Sequence, residues 1–334
     1  MKIDRGTTGS TFVCIAIVAL TRMASAEPSD SSTTSLPTVD ADGYGLTPFG
    51  RYHQSCAHHV PQGAHVSDGA VRRADGSVIE TIEPCAYPAR DKPELGRHTS
   101  SNGPLPTIND WVETVDAVGI TSTAGSTYFD WLGSRWTVPP APTNYVGQTV
   151  FLFPALEPQS RSAIIQPVLQ YGPSMAGGGN YWSYASWYID SSGHPIWSTL
   201  YTTVPGHLMM GTMDASSCSA GVCYWSIETT DFDYYPNAPN PSQLNTWTSE
   251  VFDWAWATVL EVYNVSSCSQ LPNTSSLPSS FIYLYEPGSY LGYYYDQDVT
   301  ASVSWGNTYT GAGLTPGCSY SQSGVTSNTA TIWF

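Results

Sequence analysis

The chain has 334 residues, with 11 Lys and Arg against 27 Asp and Glu, and a formal net charge of −16. That balance repels polyanions, so we expect no nucleic acid and no membrane among its partners. Charged residues make up only 11%, aromatics 13%, and Gly and Pro number 29 and 25, a composition that predicts an all-β protein rich in turns.

Residues 1–26 read as a signal peptide. Lys2 and Arg5 precede an apolar run over 11–20 that is too short to span a bilayer, and Ala24, Ser25 and Ala26 form a small-residue cleavage site. The chain is therefore expected to be secreted and extracellular. Residues 27–45 are rich in Ser, Thr, Pro and Asp and predict a disordered segment. Residues 46–106 predict a small disulfide-tied N-terminal module and linker, a candidate prosegment. They hold His53, His58, His59 and His65, a hairpin with Asp-Gly turns over 64–80, and a Gly/Pro-containing linker over 96–106. From 107 to 334, short β-type runs alternate with turn signals. The expectation is an antiparallel β-sandwich of concanavalin A-like or jelly-roll type.

Of the 7 cysteines, Cys14 leaves with the signal. The remainder, Cys56, Cys85, Cys218, Cys223, Cys268 and Cys318, fit a disulfide framework in a secreted chain. Fifteen pairings are open; proximity favours Cys56–Cys85, Cys218–Cys223 and Cys268–Cys318. No zinc-knuckle spacing occurs, and we expect a monomer with no metal and no cofactor.

Two apolar strand-like runs each carry one polar group where a core residue would be expected: Gln166 within 162–172 and Glu261 within 258–265. Strand alternation puts Gln166 on a face with Ile164, Val168 and Gln170, and Glu261 with Ala257, Val259 and Tyr263. A carboxyl group so placed should hold its proton to higher pH than usual. It serves either as a catalytic base and acid or as a structural partner of a buried Arg or Tyr. Trp182, Tyr184, Trp187 and Tyr188, in the aromatic run over 181–190, either line a substrate cleft or pack the core.

The segment from Ser162 to Tyr171 resembles the strand of the fungal glutamic peptidases (eqolisins) that reads roughly T-A-I-L-Q-T-G-V-x-F. Trp136, Thr137, Val138 and Pro139 resemble that family's F-T-V-P, and the run from Ser183 to Tyr188 its S-Y-D-A-W-Y. The neprosins, with Glu in place of the strand Gln, are a more distant likeness. The resemblance implies a secreted acid endopeptidase acting on polypeptide substrates. Gln166 would donate to the oxyanion and Glu261 would activate water. Gln170 is the rival for the first role; Glu250 and Asp253 are reserves for the second. Two other classes stay open: a glycoside hydrolase using Glu228, Asp231 and Asp233, and a carbohydrate-binding, lectin-like sandwich without catalysis.

Overall fold

The computed structural model describes residues 38–93, 107–119, 128–234, 241–290 and 293–334. The chain divides into Met1–Thr33 and Thr34–Phe334, and every described residue lies in the second unit. The signal segment and the 96–106 linker lie outside the described residues.

In chain order the strands are β1 (Tyr44–Thr47), β2 (Gly50–His53), β3 (His58–Val60), β4 (His65–Ser67), β5 (Ala70–Arg72), β6 (Val78–Thr81), β7 (Ile108–Val118), β8 (Trp131–Thr137), β9 (Thr149–Glu157), β10 (Ile164–Ser174) and β11 (Gly177–Ile189). There follow β12 (Pro195–Ser198), β13 (Tyr201–Thr202), β14 (Leu208–Ser219), β15 (Val222–Asp231), β16 (Ser242–Thr248), β17 (Trp254–Val265), β18 (Ser276–Tyr290), β19 (Tyr293–Asp298), β20 (Ser321–Gln322) and β21 (Ala330–Trp333). Among the described residues no α-helix occurs, and none of them forms a helix long and apolar enough to cross a membrane.

Two sheets build the sandwich. The first runs β3-β12-β11-β10-β9-β17-β7, with β13 beside β11. The second runs β20-β21-β18-β8-β14-β15-β16-β4-β5-β6, with β19 beside β18. Side chains from both meet between them: Leu152, Leu169 and Leu260 of the first sheet pack with Trp136, Met209 and Ile282 of the second.

In β14 the inward Met209, Gly211 and Met213 alternate with more exposed neighbours, the pattern of a strand wet on one side. In contrast, β9 and β10 are buried along almost their whole length. They are covered on both faces, which is why their sequences read as continuous apolar runs. The second cover comes from the N-terminal region. Leu46, Phe49 and Tyr52 of the β1–β2 hairpin join Trp111, Phe153, Val168, Trp187, Trp256 and Tyr263 in a separate core on the outer face of the first sheet.

Residues 44–81 thus do more than form a tethered module. β3 pairs in parallel with β12 at the edge of one sheet, and β4 in parallel with β16 in the other. The segment expected to be disordered over 27–45 is ordered at its end, where Tyr44 is buried under the Arg90 guanidinium, 3.7 Å above its ring. The predicted hairpin is present: Asp68 and Gly69 turn between β4 and β5 with φ of 49° and 65°, the primed-turn geometry an Asp-Gly pair favours.

The three disulfides are Cys56–Cys85, Cys218–Cys223 and Cys268–Cys318, as proximity favoured. Cys268–Cys318 closes the longest loop, with a separation of 50 residues. Replacing both partners by Ser should cost about 4 kcal/mol through the looser unfolded chain. Urea melts of oxidised protein measure it, and an unchanged midpoint would contradict the estimate.

Candidate functional site

Gln166 stands near the start of β10, opposite Trp187 of β11, with no exposed surface. Its backbone surroundings are unusual. The β9–β10 ladder pairs Ile165 with Leu156 and next Leu169 with Leu152, skipping the rungs between. This register places Pro154 and Pro167 face to face across that gap. Neither can donate to the ladder, so the sheet carries a break beside Gln166. Pro167 is accommodated by Gly211 of the facing sheet, where an added Cβ would lie 2.6 Å from the proline ring.

The Gln166 amide donates from Nε2 to the backbone carbonyl of Pro48, at 2.7 Å. Pro48 lies at the turn of the β1–β2 hairpin. The hairpin is docked further by Met175 N–H donating to the Leu46 carbonyl at 2.8 Å and by Phe49 packing edge-on to Trp111, with ring centroids 6.1 Å apart. Gln166 Oε1 has no protein partner, a costly arrangement for a buried acceptor. Other buried polar atoms of this face are likewise unpartnered: Glu157 Oε2, Glu261 Oε2, Trp111 Nε1, Trp187 Nε1 and Tyr52 Oη.

Gln170, the rival amide, is saturated. Its Nε2 donates to the carbonyls of Gly172 and Gly177 at 2.9 and 2.8 Å, and its Oε1 accepts from Ser174 Oγ at 2.9 Å. It ties the β10–β11 turn together and has no spare group for chemistry.

Glu261 is fully buried on the same face as Gln166. Its Oε1 accepts the Tyr263 hydroxyl at 2.6 Å. The Trp111 indole N–H lies beside the carboxyl group without a well-formed bond to it. Burial pushes its pKa well up, opposed by the Tyr263 hydrogen bond. The register, however, sets it apart from Gln166. Glu261 pairs with Phe151 of β9, and Phe151 pairs with Gln170 of β10. Gln166 stands four residues further along β10 and two strands away, roughly 17 Å between Cα atoms at ordinary strand spacings. The two do not reach one bound atom in this arrangement. The face of Glu261 also differs in composition from the expected one. A register shift between Trp256 and Thr258 turns Ala257 into the inter-sheet core and Trp256 outward with Val259.

The four aromatics of β11 divide by alternation. Trp187 shares the Gln166 face, whereas Trp182, Tyr184 and Tyr188 point into the inter-sheet core. Those three are packing residues, a correction that follows from the period-two geometry of one strand. The reserves are peripheral: Asp253 accepts from the backbone and side-chain N–H groups of Gln159, both at 2.8 Å, and Glu250 lies 3.5 Å from Ser162 Oγ.

Glu157, which the sequence reading overlooked, ends β9 on the Gln166 face. It has no exposed surface, accepts the Trp256 indole N–H at 3.1 Å and pairs with Arg161 Nε at 3.3 Å. Burial raises its pKa to about 7, against the pull of Arg161 and Trp256. Arg161 is held in the left-handed region at φ 56°, strained for a non-glycine residue. Its guanidinium lies 5.6–5.9 Å from the ring centroids of Phe49, Trp111, Trp254 and Tyr309. The alternation of Phe151, Phe153, Ala155 and Glu157 carried the signal in the sequence.

The glycosidase candidates lie on the second sheet. Asp231 is occupied by Thr203 Oγ1 and His207 Nδ1, at 2.5 and 2.8 Å, and Glu228 accepts from Thr230 at 2.7 Å. His207, Asp231 and Asp233 are, among the described residues, the one group with ligand atoms close enough to share a metal ion, all within 4.8 Å.

No family model and no curated protein matches the chain. Among solved structures it is similar to Scytalido-glutamic peptidase with a peptide-based transition-state analogue, at 12% identity and a TM-score of 0.40, covering 68% of this chain and 98% of that one. A second structure of that peptidase, with a transition-state analogue inhibitor, gives 11% identity and 0.38 over the same shares. The CBM2 module of an evolved Dit protein from Lactobacillus casei BL23 phage J-1 gives 12% and 0.25, over 53% of this chain and 83% of that one.

Proposed function

We propose that the chain is a secreted acid endopeptidase of the glutamic type, with its catalytic face around Gln166, kept latent by its own β1–β2 hairpin. The observation that carries this reading is the Pro48 carbonyl on the Gln166 amide at 2.7 Å. A peptide carbonyl so held is placed where the carbonyl of a substrate would meet an oxyanion donor. The hairpin fills the face as a peptide substrate would, and the unpartnered polar atoms around it belong to a surface built to bind polar groups.

In the reaction, a carboxylate of this face takes a proton from water as the water oxygen attacks the scissile carbonyl. The Gln166 N–H stabilises the oxyanion, and the carboxyl group returns the proton to the leaving amine as the C–N bond breaks. The steps need neither a covalent enzyme intermediate nor a cofactor. Incubation of an unfolded protein between about pH 2 and 7 with the full chain carrying Phe49→Ala, which loosens the hairpin, tests the reading with and without Gln166→Ala. Cleavage in acid, reduced on the order of 100-fold or more by Gln166→Ala, is expected; equal rates for the two proteins would refute the role of Gln166.

A further inference from the structure

Among the described residues, two wholly buried glutamates share the outer face of the first sheet with Gln166: Glu157 and Glu261. Glu261 stands two strands and four residues away and already accepts the Tyr263 hydroxyl at 2.6 Å. Glu157 is placed differently. The register of β9 against β10 puts Ala155 opposite Gln166 and Glu157 on the next rung of the same face. Cross-strand diagonal neighbours of this kind lie roughly 7–8 Å apart at Cα, within reach of two long side chains. The ladder is interrupted at this point by Pro154 and Pro167, so the rung between them is not sealed by backbone hydrogen bonds.

Resting on the peptidase reading above, we infer that Glu157 is the carboxylate that works with Gln166, and that Arg161 positions it. Each of the two side chains presents one buried oxygen without a protein donor, Gln166 Oε1 and Glu157 Oε2. A single water has two O–H groups to give, one for each acceptor, and in the inferred arrangement its oxygen faces the carbonyl held by Gln166 Nε2. The other Glu157 oxygen accepts from Trp256 Nε1 at 3.1 Å and is ion-paired with Arg161, whose Nε lies 3.3 Å away. This leaves Oε2 as the basic atom. Proton transfer from water to Oε2 accompanies C–O bond formation; breakage of the C–N bond then carries the same proton to the amine.

Burial holds the Glu157 carboxyl near 7 while the hairpin is in place, with Arg161 and Trp256 pulling down and Asp116 pushing up. Uncovering the face hydrates the group and favours its ionised form. Arg161→Gln removes the pull, so the acid limb of the pH–rate profile should move to higher pH, a change that loss of packing alone would not produce.

The test compares kcat/KM for cleavage of an unfolded protein by the full-length chain with its hairpin loosened by Phe49→Ala, and by the same chain carrying Glu157→Gln, Glu157→Asp or Glu261→Gln, with thermal melts run alongside. Glu157→Gln should lower kcat/KM on the order of 1,000-fold, Glu157→Asp less, and Glu261→Gln under 10-fold. Loss of activity in Glu261→Gln, with Glu157→Gln close to wild type and both folded, would overturn the assignment and leave the peptidase reading standing. A folded Phe49→Ala chain, otherwise wild type, that is inert at every pH would overturn both.

Discussion

The fold should be more stable at pH 4 than at pH 8. Burial raises the carboxyl groups of Glu113, Asp130 and Glu157 to about 7 and that of Glu261 well above its ordinary value. A carboxyl group whose pKa is raised by folding contributes stability that is complete below the unfolded value, near 4.5 for Glu, and is lost as pH climbs through the folded value. For Glu157 alone the loss between pH 4 and 8 is on the order of 3 kcal/mol. The neighbours of Glu113, the Gly311 N–H at 2.9 Å and Thr310 Oγ1 at 3.4 Å, and the proximity of Asp296 to Asp130 make these two further contributors of opposite coupling but the same sign.

His194 acts in the same direction. It lies between the Asp190 carboxylate at 2.8 Å and the Glu83 carbonyl at 2.9 Å, two acceptors that together favour the imidazolium, so its contribution also fades as pH rises. His59, lowered by burial, runs the other way and gains stability as pH rises through 6.5. The net expectation is a melting temperature higher in acid by roughly 10 °C. Calorimetry across pH 4 to 8 measures it, and a maximum at pH 7 to 8 would show that these carboxyl groups ionise in the folded protein at no cost. The histidines bear on the N-terminal region in a specific way. Charged His194 holds Glu83 to the sandwich, so acid tightens this contact.

Loosening the hairpin should raise activity. Phe49 is buried at 1% exposure between Trp111, the Lys92 ammonium 5.4 Å from its ring and the Arg161 guanidinium 5.8 Å away. Phe49→Ala removes a contact worth about 3–5 kcal/mol, most of it lost from hairpin docking, since the two sheets keep their own core. Acid cleavage of an unfolded protein should then rise at least 10-fold over wild type. Unchanged activity with the hairpin demonstrably displaced, read by hydrogen exchange at Tyr44–Thr47, would mean that the hairpin is not what limits access.

Much of the fold was legible in the sequence. The strand-forming runs, the Asp68-Gly69 turn and the Cys218–Cys223 pair are local features with local physical causes, and the other two cysteine pairs also join neighbours in the cysteine order. Gln166 was legible because an amide in an apolar, two-face-buried strand is out of place. Glu157 was harder to see. Pro154 interrupts its strand, and the following Pro158, Gln159 and Ser160 read as a turn, which draws the glutamate into the loop. The distance between Gln166 and Glu261 is a matter of register, fixed by pairings of each strand with β9, and no feature within either strand reveals it. The same holds for β3 and β4. Parallel pairing with strands more than 130 residues away leaves no mark in the N-terminal sequence, so these edge strands looked like parts of a separate module.

The most direct measurement is cleavage by protein whose hairpin can be released. A specific protease site placed between Gln54 and Ser55, both exposed, permits a cut that detaches the hairpin, while Cys56–Cys85 keeps the following strands in place. The cut chain should hydrolyse an unfolded protein in acid at least 100-fold faster than the intact one, and a synthetic peptide of residues 44–53 should restore inhibition. Cut and intact chains that are equally inert, with the peptide released and the sandwich folded, would contradict a peptidase face beneath the hairpin.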